Sequence, residues 1–123
     1  MKELNKDLMA SSLAPMVLLI LQRQESYGYE IIQQLKDKTG GELAVAEGTL
    51  YPVLKKMEEK EWVESNWKKA DTGRERKYYA LTDKGQQELE QQLSQWTYIN
   101  NLIQKLWKPE NSISTNLLPI MYS

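Results

Sequence analysis

No cysteine and no histidine occur among the 123 residues of this chain. Thiolate and imidazole are therefore missing as metal ligands and as catalytic groups, which excludes zinc-ordered DNA-binding modules and the usual cysteine or histidine catalysis. Nor does any spacing of Asp, Glu, Lys, Tyr or Ser pair a nucleophile with a base, and no glycine-rich phosphate loop is present, so an enzyme is not expected and no cofactor is implied. A long apolar run is also lacking. The segment Leu13-Ala-Pro-Met-Val-Leu-Leu-Ile-Leu21 is too short to span a bilayer and no small-residue cleavage site follows it, so it reads as a buried helix and no membrane partner is expected. Charge of one sign is not in excess: 16 Lys and Arg face 17 Asp and Glu, a formal net charge of -1. Such a chain does not coat nucleic acid by bulk charge, and any DNA contact has to be local and shaped. The absence of disulfides suits the cytoplasm, the expected location.

With 41% hydrophobic and 27% charged residues the composition is that of a globular protein, and its small size makes oligomerisation a natural source of added stability. Ser11-Ser12 with Pro15 reads as the start of a first helix running to about Gln24, because Pro is tolerated in a first turn. A second amphipathic helix over Tyr27–Lys38 turns Tyr27 or Ile31, with Ile32 and Leu35, inward and stops at Gly40-Gly41. Leu50, Val53, Leu54 and Met57 repeat at the spacing of one buried face and predict a third helix from about Ala46 to Lys60. Its opposite face carries Gly48, Pro52, Lys55, Lys56 and Glu59, with Tyr51 at the edge. Pro52 clashes with the carbonyl four residues back, so an irregular first turn around Gly48 is expected. Glu47 is read as a capping residue in preference to an acceptor for a cytosine amino group, since a carboxylate repels phosphate.

Trp62-Val-Glu-Ser-Asn-Trp67 and Tyr78-Tyr-Ala-Leu81 then read as two strands around a turn at Lys68–Gly73. Between Lys68 and Lys77 stand five basic residues, Lys68, Lys69, Arg74, Arg76 and Lys77, against the acidic Asp71 and Glu75. Positive charge is gathered at a hairpin tip, where a phosphate backbone can meet it. The plainer explanation is a hairpin tip kept soluble by its lysines and arginines. Tyr78 and Tyr79 fall on opposite faces of their strand, and spacing does not say which is core. Thr82 can cap a long last helix with a stripe of Leu89, Leu93, Trp96, Ile99 or Asn100, Ile103 and Leu106 or Trp107 that ends before Pro109. Packing is the usual role of a tryptophan on such a stripe. The expected organisation is a DNA-binding unit over 1–81, a dimerisation helix over 82–108 and a weakly ordered tail over 109–123.

Three helices, a two-stranded hairpin and a long terminal helix make a mainly α fold, a winged helix-turn-helix with an added arm. The chain resembles the PadR family of bacterial transcriptional regulators at Tyr27-Gly-Tyr-Glu-Ile31, at Glu47-Gly-Thr-Leu-Tyr-Pro-Val-Leu-Lys-Lys-Met-Glu58, and at Arg76-Lys-Tyr-Tyr-Ala-Leu-Thr82 followed by Gly85. The strings stand in the family's order and spacing over Leu8 to Trp107. The resemblance is nearest to the small members that dimerise through one helix after the wing, and among them to multidrug-responsive repressors with a tryptophan in mid-arm, as Trp96 is here. It implies a homodimeric repressor on a near-palindromic double-stranded operator. Recognition helices would enter adjacent major grooves through Thr49, Tyr51, Lys55 and Lys56, while Lys68, Lys69, Arg74, Arg76 and Lys77 of the wing meet the backbone. A planar aromatic effector between two copies of Trp96 is also implied, with Met9, Met16, Leu18 and Ile103 around it. The alternative class is a winged-helix module that binds protein, which an acidic pI would suit; the positive wing speaks against it.

Overall fold

The computed structural model describes residues 5–107, so the expected tail over 109–123 lies outside the described residues. The element order is α1 Lys6–Arg23, β1 Ser26–Tyr27, α2 Gly28–Lys38, α3 Glu47–Glu59, β2 Val63–Lys69, β3 Glu75–Leu81 and α4 Asp83–Leu106. The fold is mostly helical with one small antiparallel sheet, ordered β1-β3-β2. The chain forms two compact units that meet between Leu89 and Glu90, within α4.

Helix α1 starts well before Pro15. Asn5 caps it, its side-chain oxygen accepting from the Asp7 N–H at 2.8 Å and the Leu8 N–H at 3.4 Å. Ser11 and Ser12 are therefore helical, and both hydroxyls donate back to the Leu8 carbonyl, at 3.1 and 2.6 Å. Pro15 lies inside the helix and is buried. Tyr27 leaves the predicted second helix to join β1, which pairs Ser26 with Tyr79 and Tyr27 with Tyr78. This third strand goes beyond the two-stranded hairpin that spacing predicts.

Leu13, Val17 and Leu18 of α1, Ile31 of α2, Leu50 and Leu54 of α3 and Leu89 of α4 are fully buried in one apolar core. Burying side chains of this size contributes roughly 1.5–3 kcal/mol each, which is what holds three short helices at fixed angles. Helices α2 and α3 end alike. At α2 the Gly41 N–H donates to the Lys36 carbonyl at 2.7 Å and Gly40 takes φ 65°. At α3 the Trp62 N–H donates to Met57 at 2.9 Å, and the left-handed residue, φ 64°, is Glu61. Both are the hydrogen-bonded stop that glycine usually serves.

The last helix is anchored at its start. Thr82 Oγ1 accepts from the Gly85 N–H at 2.9 Å and donates to the Glu61 and Trp62 carbonyls at 2.7 and 3.0 Å. A side chain at Gly85 would run into the carbonyl of Trp62, the residue just before β2, so only glycine lets α4 approach the backbone there. Leu89, expected on the dimer stripe, is wholly buried in the core of the first unit. The first two turns of α4 therefore belong to the winged-helix unit, and a partner subunit cannot reach Leu89. In the second unit Leu93, Ile99, Leu102, Ile103 and Leu106 are exposed along the helix, and Trp96 is half-buried.

Candidate nucleic-acid interface

Helix α3 is built to show one face. Leu50, Leu54 and Met57 are buried, which by the 3.6-residue period leaves Thr49, Tyr51, Pro52, Lys55 and Lys56 outward, and all five are exposed. Pro52 lies inside the helix, which runs unbroken from Glu47 to Glu59. The Ala46 carbonyl accepts from both the Thr49 and Leu50 N–H groups at 3.0 Å, a shared bond common at helix ends. Glu47 is not the cap expected of it: Ala46 is the N-cap, with no side-chain cap bond, and Glu47 is the first helical residue, where its carboxylate complements the positive end of the helix dipole.

Tyr51 lies over Gly28. A methyl group at Gly28 would stand 2.7 Å from the Tyr51 Cζ atom, so only glycine at the start of α2 lets the ring settle there. Two of the short strings quoted from the sequence, one around Gly28 and one around Tyr51, thus meet in space.

The wing follows from register. Trp67 pairs with Lys77 and Lys69 with Glu75, while Lys68 pairs with Arg76 and Asn66 with Tyr78. Cross-strand partners share a face, so Trp67, Lys69, Lys77 and Tyr79 form one face and Lys68, Arg76 and Tyr78 the other. Tyr79 is the core tyrosine, 5% exposed. Tyr78 is half-buried and meets the Tyr27 ring edge-on, centroids 5.3 Å apart. Desolvation raises the pKa of both phenols: the Glu30 carboxylate adds to the effect at Tyr78, and Lys77 opposes it at Tyr79. At the tip the Ala70 N–H donates to the Arg74 carbonyl at 2.8 Å, and Gly73 turns the chain with φ 87°.

The five wing cations do not stand alike. Lys68 pairs with Glu25 and lies 4.9 Å over the Tyr78 ring. Arg76 lies 5.1 Å over the Tyr27 ring. Lys77 pairs with Glu58 at 3.5 Å and lies 5.6 Å over Tyr79. Among the described residues, Lys69 and Arg74 make no ion pair or ring contact, and both are exposed. Glu58 also accepts a 2.5 Å hydrogen bond from Ser65 Oγ, so one α3 carboxylate ties down both wing strands. Neither this clamp nor the exposure of Trp67 is evident from spacing. Between α3 and the wing runs a cleft bordered by Tyr51, Lys55, Glu58, Lys77 and Tyr79.

Known proteins are similar to this one in fold and sequence. The PadR-like family of transcriptional regulators matches residues 17–91. The chain belongs to that family. A transcriptional regulator from Clostridium thermocellum has a TM-score of 0.75 at 27% identity, over 84% of this chain and all of that one. A PadR-like transcriptional regulator from Bacillus cereus strain ATCC 14579 has a TM-score of 0.72 at 30% identity, over 85% of this chain and all of that one. The negative transcriptional regulator PadR of Bacillus subtilis is 33% identical over 73 residues, 59% of this chain but 40% of that protein. This PadR-family chain is a winged-helix transcriptional regulator, and none of its described helices is long and apolar enough to cross a membrane.

Proposed function

We propose that this PadR-family protein is a homodimeric, sequence-specific repressor that binds a near-palindromic DNA operator and is released from it by a planar aromatic compound. The observation carrying the DNA reading is the placement of Tyr51 and Lys55, beside Glu58 and Glu59, on one border of the cleft and Lys77 and Tyr79 on the other, with Thr49 exposed on the same helix. A helix whose free face enters the major groove needs such a row of side chains beside a basic hairpin that follows the backbone. Repression is supported by the Bacillus subtilis relative, which is a negative regulator.

Dimerisation rests on Leu93, Ile99, Ile103 and Leu106, all exposed in the single chain. A continuous apolar stripe of that length is more than monomers commonly leave open. Trp96 lies in the middle of it, and a two-fold axis near the helix would bring two indoles together around a flat ligand.

The test is equilibrium binding to duplexes selected from a random pool. Enriched sequences with two half-sites about 34 Å apart, one helical turn, are expected, with affinity falling steeply as salt rises. Selection that enriches no sequence, or a logarithmic salt slope as shallow as about -1, overturns the reading. For the effector, hydrophobic dyes should quench indole emission in the parent and not in a dimeric, DNA-competent Trp96→Ala variant. Equal quenching in both returns Trp96 to packing.

A further inference from the structure

Trp67 is the odd residue of this surface. Its indole is 67% exposed, on the wing face that looks toward α3, and it lines a cleft of about 330 Å³ whose other walls include Tyr27, Tyr51, Tyr79, Lys77 and the acidic Glu75. No described residue of the winged-helix unit covers it. Indole is among the costliest groups to leave in water, and here it stands at the wall of a slot whose opposite wall is the exposed face of α3. The slot mixes aromatic rings with charged side chains, Glu75 among them. At its rim stand Lys77 and Arg76, with Lys69 the next residue outward on the same face as Trp67.

We propose that Trp67 is a DNA-contacting residue, packing its indole face against a deoxyribose of the strand that separates the two grooves. The inference rests on the DNA-binding reading above and deepens it. When a recognition helix occupies a major groove and its wing follows the adjacent minor groove, one sugar–phosphate strand has to pass between them, which is where this cleft lies. The strand offers alternating chemistry: phosphates for the cationic rim and the C–H faces of sugars for the aromatic wall. A stacked base is the poorer occupant, since drawing one out of a duplex costs a few kcal/mol whereas the sugars are already outside. Arg76, Lys77 and Lys69 outnumber the one carboxylate, Glu75, and this excess of positive charge favours a polyanion over an apolar protein segment. Tyr51 and Trp67 then hold the strand from its two sides, which sets the depth at which α3 sits in the groove.

The test uses the full chain and a fluorescein-labelled duplex of random sequence, because a sugar contact carries no base information. Trp67→Ala should weaken random-duplex binding about tenfold, since part of an aromatic face no longer packs against the strand, while leaving the slope of log K against log salt unchanged. Trp67→Phe should recover most of the affinity. Arg74→Ala serves as the contrast, reducing the slope by about 0.9 for each phosphate it ceases to neutralise. Circular dichroism should show the parent fold in the Trp67 variants, since the side chain is mostly in solvent. Parental affinity in Trp67→Ala with a weakened Arg74→Ala sinks the slot and leaves DNA binding standing. A slope that shifts in Trp67→Ala also overturns it, because displaced cations would then be the cause. Loss on single-stranded DNA without loss on the duplex overturns it in favour of base stacking. Failure of the parent itself to bind any duplex overturns this inference together with the DNA reading.

Discussion

Adding one methyl group at Gly28 should disturb DNA binding much more than folding. The new carbon would lie 2.7 Å from Cζ and 2.9 Å from Cε1 of Tyr51, whereas carbons in contact settle at about 3.5–4.0 Å. The ring must therefore retreat by about 1 Å. Tyr51 is 42% exposed and its side chain can swing outward, so the ring yields and the backbone stays. Alanine also favours the helix by up to about 1 kcal/mol over glycine, and the net change in stability should fall within about 1 kcal/mol of zero. If Tyr51 meets the operator, moving it forfeits an interaction of about 1–3 kcal/mol, roughly a 5- to 150-fold drop in affinity. Fluorescence anisotropy on the selected operator at fixed salt reads the affinity, and urea denaturation reads the stability. The decisive form is a double-mutant cycle. Once Tyr51→Ala has removed the ring, Gly28→Ala should cost nothing further, so the coupling energy equals the whole effect of the glycine change. Additive effects, or parental affinity in Gly28→Ala, would refute the argument that this glycine acts through the tyrosine.

Gly85→Ala should act in the opposite way, since its methyl meets the backbone carbonyl of Trp62 and not the free end of a side chain. We expect destabilisation of about 1–3 kcal/mol by overpacking, read as a lower urea midpoint. Glu58→Gln keeps an acceptor for Ser65 but releases Lys77, both partners being more than a third exposed. Random-duplex affinity should rise and the salt slope steepen by about 0.9 per protomer; an unchanged slope means Lys77 does not reach phosphate. Ile103→Asp changes a residue that is 46% exposed in the single chain, so the winged-helix unit should stay folded while sedimentation shows monomer. Burial raises the Tyr79 pKa, although Lys77 pulls it down. The folded state thus holds this proton to higher pH than the unfolded chain, whose tyrosines titrate near pH 10. The stability linked to it is complete below that value and is lost as pH climbs through the folded pKa. Tyr79→Phe should flatten that alkaline decline, and a decline as steep as the parent's places its cause elsewhere.

Periodicity makes α2, α3, the hairpin and α4 legible because each buries a face long enough to show its repeat. It fails where structure depends on a distant partner. Strand β1 is two residues, Ser26 and Tyr27, too short to alternate, and exists because β3 offers it a free edge. Pro15 points to a helix start close to itself, whereas Asn5 is the residue that satisfies the first free N–H groups of α1. Leu89 and Leu93 occupy one helical stripe, yet the first is fully buried and the second 38% exposed. A stripe records that residues share a side, and it cannot record where the chain's own core stops covering that side. The same gap hides Trp67, whose strand position assigns a face without saying what covers it. It also hides how differently the wing cations stand. The sequence shows five positive charges in ten residues, but Glu25 comes from the α1–α2 connection and Glu58 from α3 to hold Lys68 and Lys77. A basic patch counted along the chain therefore overstates the charge that meets a phosphate backbone. Lys69 and Arg74 at the tip are ready for it. Lys68 and Lys77 must first exchange a carboxylate for a phosphate, an exchange of one exposed ion pair for another that is worth at most about 1 kcal/mol either way. Such contacts add little affinity and depend on the wing staying where Glu58 holds it, so apolar surface such as Trp67 and the ring of Tyr51 gains weight in fixing how this regulator sits on DNA.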